Sequence, residues 1–293
     1  MAPDASRTLA LRITSLDVEK DCREIALLLA TREFAWDIER ALEFALFRTY
    51  AVPAISGLLA RTGEFERRPR KRYDDTELIL AEIQENGFDS DRGRRALKRL
   101  NAMHGRFRIA DDDMLYVLST FVMEPIRWLD RYGRRPMTPH EQRAWCNYYR
   151  RLGEHMGIPG IPSDLETFRR FNEAYESGNF RFAESNRAVA TATSDLLLGF
   201  YLPRWLLWAG RPAVRAFMDP PLLAAMGFPP APRWLRRALL AAMAMRARAL
   251  RILPARRRPR LLTRVRRPTY PEGYEIEELG TFCGGGGTKR NRG

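Results

Sequence analysis

The sequence predicts an all-α protein, and two observations support this. Apolar residues recur three and four positions apart along most of the chain, with no long alternating runs of the strand type and no strand–helix–strand rhythm. Three helix starts follow the pattern of a capping residue with Glu three positions later, at Asp74, Thr138 and Ser163. No long linker divides residues 20–255, so we expect one helical domain.

Pro and Gly residues divide the helical pattern into successive segments. Helices are predicted over residues 18–32, 35–60, 75–86, 90–105, 111–131, 139–156, 163–177, 180–199, 203–217, 220–227 and 232–252. After Pro254 we expect irregular chain. The run Gly284–Gly287 and the last residues predict a disordered tail.

The composition excludes several classes of protein. The chain has 293 residues, of which 45% are hydrophobic and 29% charged, unlike a disordered chain, a collagen or a coiled-coil rod. Three Cys are too few for a disulfide framework and fit a reducing compartment. Residues 1–20 lack the apolar core of a signal peptide, and the apolar stretches 196–209 and 238–245 fall short of the ~20 residues that span a bilayer. We therefore expect a cytoplasmic protein.

The positive charge is concentrated in one segment. The net charge is +14, and residues 233–267 hold thirteen Arg and no acid. In 233–253 these Arg alternate with Leu, Ala, Met and Trp234. That pattern fits peripheral contact with an anionic membrane surface, and it equally fits a core helix with a solvated Arg face. No helix-turn-helix, RRM or zinc-finger pattern accompanies the charge, so we expect no nucleic-acid partner.

Common catalytic and metal motifs are missing. Ala144 stands where an HExxH motif beginning at His140 would need its second His, and no CxxC or GxSxG is present. The Gly284–Gly287 run lacks the spacing of a P-loop. CxxCH is also absent, so any haem would be bound non-covalently.

His104 lies in a segment with one apolar helix face. Leu97, Leu100, Asn101 and His104 share that face, while Arg94, Arg95, Lys98 and Arg99 lie mostly on the other. An inward imidazole has two interpretations. It is a core His bonded to a carbonyl group, or it is an axial ligand to iron.

Arg72 and Thr76 bracket the predicted start of a helix whose cap is Asp74. The segment is interpretable as a basic loop leading into a capped helix. An Arg and a hydroxyl at a helix N-terminus also suit an anion such as a carboxylate or propionate.

Together these segments resemble the catalytic domain of the ER-bound oxygenase mpaB and rubber oxygenase (latex-clearing protein) family. The resemblance covers residues 35–282, which leaves 1–34 as an N-terminal helical extension and 283–293 as the Gly-rich tail. It rests on the order of several short motifs: Arg72 to Thr76, Leu100-x-x-Met103-His104, Tyr116-x-Leu118, Glu124-Pro125, Gly133 to Thr138, Gly153-x-x-Met156-Gly157-Ile158, Ile161-Pro162, Thr269-Tyr270-Pro271-x-Gly273-Tyr274 and Leu279-Gly280.

The resemblance implies a globin-related helical core that holds haem b non-covalently. His104 matches the family's metal ligand, and Arg72 and Thr76 match its distal Arg and Thr. Asn101 shares the face of His104 and is expected to contact the cofactor. In the rubber-cleaving branch a Lys that caps the iron precedes the Thr, whereas this chain has Asp75, which would not replace it as a ligand.

The rubber-cleaving branch also uses a distal Glu as a base, for which Glu64 and Glu66 are the nearest candidates. The implied reaction is O₂-dependent oxidative cleavage of a C=C bond in a lipophilic, isoprenoid-like substrate. The alternative is a non-catalytic haem- or lipid-binding helical protein, which keeps the pocket without the chemistry.

Overall fold

The computed structural model describes residues 5–253 and 256–280, and it confirms the all-α prediction. Within those residues the chain is helical with no β-strand, and an isolated bridge joins Arg267 to Tyr270. The globin-related core stays a prediction. The predicted disordered tail at Gly284–Gly287 lies outside the described residues.

Fourteen α-helices follow one another along the described chain. They are α1 Ala5–Ser15, α2 Cys22–Leu28, α3 Ala35–Tyr50, α4 Pro53–Thr62, α5 Glu64–Arg67, α6 Pro69–Asn86, α7 Asp91–His104, α8 Asp111–Tyr132, α9 Pro139–His155, α10 Leu165–Asn179, α11 Glu184–Leu198, α12 Leu207–Arg215, α13 Pro220–Met226 and α14 Arg233–Ile252. A π-helical turn, Leu29–Glu33, continues α2. Short 3₁₀ turns occupy Arg204–Leu206, Leu262–Arg264 and Ile276–Glu278.

Proline decides where two of the predicted boundaries were wrong. The predicted helix 35–60 is two helices, because Pro53 has no N–H and forces Val52 into an extended conformation (φ −96°, ψ 114°). The helix predicted to begin after Asp74 begins instead at Pro69, which occupies its first turn. Asp74 is therefore an interior residue of α6 and not a cap.

The other two predicted caps lie at or within one residue of a helix start. Thr138 caps α9 in a complete capping box with Glu141, as predicted. For α10 the cap is Asp164 rather than Ser163, and its carboxylate accepts the backbone N–H of Thr167. Helix α1 lies in the expected N-terminal helical extension, although no helix range was predicted for its residues.

The apolar side chains form two core clusters. The larger joins α1, α2 and α6–α10 around Ile25, Leu78, Tyr148 and Phe168, and the smaller joins α3, α11 and α13 around Phe47 and Met226. Helix α3 packs along α8 and contributes to both clusters. Helices α1 and α2, which precede the region of family resemblance, thus pack into the same core as the helices within that region.

A buried arginine ties four helices together on the side of the smaller cluster. Arg48 of α3 pairs with Glu176 of α10, with Asp219 at the start of α13 (2.6 Å) and with Glu124 of α8 (3.5 Å). The hydroxyl of Tyr116 also donates to Glu176 (3.2 Å). Each buried charge in this group therefore has a partner of opposite sign.

Helix α6 is buried on two sides, and its carboxylates hold the C-terminal strap (residues 256–280). The hydroxyls of Thr269, Tyr270 and Tyr274 donate to Asp74, Asp75 and Glu82 respectively. Glu85 accepts the hydroxyl of Thr263 and the N–H of Leu262. The strap itself forms short turns, and several of its side chains bond to α6.

Among the described residues no single helix is both long and apolar enough to cross a membrane. The bent pair α3 and α4 passes the test of length and composition together, with 101° between its members.

We predict that Asp74→Ala destabilises the fold by about 3 kcal/mol, because it removes a buried carboxylate that Arg70, Arg267 and Thr269 all contact. Denaturant unfolding measures the change. Asp91→Ala removes an exposed partner of Arg95 and is the matched control, with an expected cost under about 1 kcal/mol. Equal losses in the two variants would contradict the role given to Asp74.

Candidate functional site

A cavity of about 560 Å³ lies where the two core clusters meet. Helices α3–α9 and α11 contribute to its wall, and Gly280 of the strap reaches it. Most of the lining is apolar: Leu46, Tyr50, Leu58, Leu59, Phe65, Ile79, Leu80, Leu100, Met103, Phe107, Met114, Phe121, Leu152 and Leu196. Its volume is within the range of small-molecule and cofactor sites.

His104, the last residue of α7, lines this cavity. Its Nδ1 lies 3.0 Å from the carbonyl oxygen of Leu100, one turn earlier. A carbonyl only accepts, so Nδ1 carries the hydrogen, and Nε2 keeps the lone pair that binds metals. Burial and the nearby Arg72 guanidinium lower the pKa of His104, which favours the neutral imidazole.

Arg72 and Thr76 also line the cavity, from successive turns of α6. The Arg72 guanidinium donates to the Thr76 hydroxyl, which in turn donates to the Arg72 carbonyl (2.9 Å). The Arg72 guanidinium also lies over the Phe65 ring, 5.8 Å from its centre. The fold therefore brings together three of the predicted residues, one on α7 and two on α6.

The other three predicted residues lie off the cavity. Glu64 is buried, and Arg68 binds both of its carboxylate oxygens (3.0 and 2.7 Å), while Glu66 is exposed. The prediction of an inward Asn101 is wrong. Its side chain is exposed and donates to the carbonyl of His155 (2.9 Å), joining α7 to the end of α9.

Two different carboxylates, Asp75 and Asp113, line the cavity. Asp75 is already satisfied, because Lys71 donates to it at 2.7 Å and Tyr270 of the strap donates as well. Asp113 accepts the hydroxyl of Tyr175. Asp75 thus fixes the strap next to the cavity.

A second, smaller cavity of about 90 Å³ shares a wall with the first, including Tyr73 and Thr76. Its other polar lining residues are Glu39, Glu43, Glu77, Gln84 and Arg260. Most of its wall is apolar, and its volume is enough for a few water molecules. The Tyr73 hydroxyl lies 2.8 Å from Glu43 and 3.4 Å from Glu77.

Burial raises the pKa of Glu43 to about 8, against the opposing effects of Arg40 and the Tyr73 hydrogen bond. Burial likewise raises the pKa of Glu77, opposed by Arg267. No sequence motif singled out Glu43 and Glu77 as a pair. The available signal was Glu43 itself, an acid on the buried face of α3 between Ala41 and Ala45.

We predict that Glu43→Gln changes how stability depends on pH. Because folding raises the pKa of Glu43 from 4.5 to about 8, the folded chain keeps a proton that the unfolded chain releases. The contribution of Glu43 to the free energy of unfolding is complete below about pH 4.5 and is lost as the pH rises through 8. Between pH 5 and pH 8 the wild type should therefore lose roughly 3 kcal/mol of unfolding free energy that the variant does not lose.

Denaturant unfolding across that pH range measures the difference. Glu66→Gln, at an exposed position, is the control and should follow the wild type. A Glu43→Gln difference that stays constant with pH would show that folding leaves the ionisation of Glu43 unchanged.

The donor set fits a haem better than a bare metal ion. In residues 5–253 and 256–280, no group of three or more His, Cys, Asp or Glu side chains could hold a metal ion. A haem needs only one protein ligand, which the Nε2 of His104 can supply. Arg61, Arg72 and Arg108 line the same cavity and offer guanidinium groups to carboxylates.

Comparison with known proteins gives one family. The family model described as "ER-bound oxygenase mpaB/B'/Rubber oxygenase, catalytic domain" matches residues 39–251. The ER-bound oxygenase mpaB of Penicillium roqueforti (strain FM164) is 31% identical over 215 residues, which are 67% of this chain and 72% of that protein.

Two proteins of Penicillium brevicompactum are also similar. ER-bound oxygenase mpaB' is 31% identical over 225 residues, covering 70% of this chain and 53% of the relative. ER-bound oxygenase mpaB is 30% identical over 225 residues, covering 68% and 57%. This chain thus spans a little more than half the length of these two relatives.

Proposed function

The chain belongs to the ER-bound oxygenase mpaB/rubber oxygenase family, and on that premise we propose that it is a haem-b-dependent oxygenase. The proposed reaction is oxidative cleavage of a C=C bond in a lipophilic, isoprenoid-like substrate by O₂. One observation supports this most strongly. His104 lines a large, mainly apolar cavity, and its neutral imidazole keeps the metal-binding lone pair on Nε2.

His104 would hold the haem through Nε2, and the hydrogen bond from its Nδ1 to Leu100 fixes the ring and its tautomer. Arg61, Arg72 and Arg108 are the candidate partners of the propionates. When bound, haem supplies an iron centre that binds and activates O₂. The predicted contact from Asn101 is not part of this proposal, since that side chain lies outside the cavity.

The residues of the chain have three roles in the proposed chemistry. The apolar wall binds the alkene and excludes water. Arg72 and the Thr76 hydroxyl offer hydrogen-bond donors for negative charge that develops on oxygen. Tyr73 borders both cavities and bonds to Glu43 and Glu77, so we assign to this group the proton transfer that we had first expected of Glu64 or Glu66.

We also propose that the protein associates peripherally with a membrane through residues 233–267. The Arg-rich composition of this segment supports the proposal, and the curated relatives are named ER-bound. A lipophilic substrate would be concentrated at the same surface.

We predict that His104→Ala abolishes haem retention, because no second ligand is proposed for the iron. The haem content of the purified protein measures this, and added imidazole should partly restore it. His140→Ala is the control, because that imidazole bonds to the carbonyl of Ile13, far from the cavity lining. Full haem content in His104→Ala would place the ligand elsewhere.

We predict that Arg72→Ala and Thr76→Ala lower O₂-dependent turnover of an alkene about 100-fold, with little change in the melting temperature. Both side chains line the cavity, and their side-chain hydrogen bonds join them to each other. Arg67→Ala, an exposed arginine off the cavity, is the control. Full haem content together with full turnover in Arg72→Ala would refute the assignment.

One observation favours the non-catalytic alternative, a haem- or lipid-binding protein. Neither predicted glutamate reaches the cavity, and the two aspartates that line it are already bonded. Steady-state O₂ uptake with polyprenyl substrates separates the two functions. Uptake that depends on substrate supports the oxygenase, and stoichiometric lipid binding without uptake supports the alternative.

A further inference from the structure

Helix α14 carries apolar residues on two opposite faces. The inner face, with Leu235, Leu239, Met243, Ala247 and Leu250, is buried or half-buried against the protein. Arg246 anchors the same side, since it pairs with Asp37 (2.9 Å) and stacks on Trp36 (4.0 Å). One apolar face is enough to dock a helix onto a globular core, so the other requires its own explanation.

The outer face is an exposed apolar stripe. It holds Trp234, Ala238, Ala241, Met245 and Ile252, whose spacings of four, three, four and seven residues place them in one line. Trp234 and Ile252 are 71% and 86% exposed. Large apolar side chains aligned over almost five turns form a continuous patch, unlike isolated surface residues.

Two further exposed tryptophans lie at and just before the start of α12, a helix that packs against α14. Trp205 and Trp208 are 73% and 72% exposed, and they lie in and just after the turn Arg204–Leu206. Trp208 belongs to α12, which packs against α14. We call these five large side chains, Trp205, Trp208, Trp234, Met245 and Ile252, the tryptophan face.

Arginines lie along the edge of the tryptophan face. Arg233, Arg237 and Arg248 are exposed on one flank of the α14 stripe, and no acid occurs between residues 233 and 267. The Arg side chains are long enough to keep their charge in water while their stems cover apolar surface. The stripe on α14 is therefore apolar along its line and positive along one flank.

We propose that the tryptophan face binds the surface of an anionic phospholipid membrane, with α14 lying in the plane of the interface. Tryptophan partitions to the level of the lipid headgroups, and the flanking arginines attract anionic lipid. This inference rests on the peripheral membrane contact proposed above. It specifies the residues that insert and adds Trp205 and Trp208, which lie outside 233–267.

Two other occupants fit the patch less well. A symmetric dimer through this face would place the flanking arginines of both copies opposite each other without acids to pair them. A nucleic acid would use the arginines but would leave Met245 and Ile252 against a polar backbone. A membrane satisfies the apolar stripe and its charged flank together.

Vesicle co-sedimentation tests the proposal with the full chain. The probes are vesicles of phosphatidylcholine alone and of phosphatidylcholine with phosphatidylglycerol. We expect the wild type to bind the anionic vesicles, to bind the neutral ones about tenfold more weakly, and to lose affinity as salt is added. Quenching of tryptophan fluorescence by brominated lipid should accompany binding.

The triple variant Trp208→Ser, Trp234→Ser, Ile252→Ser should bind anionic vesicles at least about tenfold more weakly, because three large apolar side chains no longer insert. Leu11→Ser changes an equally apolar side chain, 62% exposed on α1, and should bind like the wild type. Melting curves of both variants establish that they are folded.

Wild-type binding retained by the triple variant would overturn the proposal, as would binding that ignores lipid charge. A wild type that dimerises without vesicles, and becomes monomeric in the triple variant, would assign the face to a second copy. Tighter binding to a DNA duplex than to anionic vesicles would assign it to nucleic acid. Haem content, measured on the same samples, tests the proposed oxygenase separately from the membrane face.

Discussion

The pairing of buried carboxylates on α6 with the C-terminal strap is the interaction on which the site depends. Asp74, Asp75 and Glu82 are all buried, and isolated charges there would cost several kcal/mol each. Each is bonded to a hydroxyl of the strap. Each also pairs with at least one cation: Asp74 with Arg70 and Arg267, Asp75 with Lys71, and Glu82 with Arg92. These bonds hold α6 in the interior, so that Arg72 and Thr76 line the cavity from its other side.

Residues of α6 line two neighbouring cavities. The large cavity is mainly apolar and suits a flat cofactor with a lipophilic substrate. The smaller cavity is also mainly apolar, but Glu43 lines it, and burial raises the pKa of this residue to about 8. Tyr73 borders both cavities and donates to Glu43, so a proton held among buried acids lies next to the proposed reaction space.

The sequence predicted the structure correctly where a residue pattern determines the conformation of its own segment. Helical spacing identified most helices, the Thr138 capping box located α9, and the motif around His104 led to the cavity. Predictions failed where distant contacts decide the outcome. An Asp before a helical run predicts a cap, but α6 begins at Pro69 and leaves Asp74 in the helix interior, where Arg267 and Thr269, almost 200 positions later, pair its carboxylate. Glu64 failed for a local reason, since Arg68, four residues later, binds both of its carboxylate oxygens and keeps it off the cavity.

The central claim is that the cavity beside His104 is a haem site, and titration of the purified chain with haemin, followed by absorption spectroscopy, tests it most directly. If the cavity is a haem site, we expect a Soret band that sharpens and saturates at one haem per chain, with the spectrum of a protein-bound haem that has one imidazole ligand. A band that grows in proportion to added haemin without saturating, and keeps the spectrum of free haemin, would contradict it.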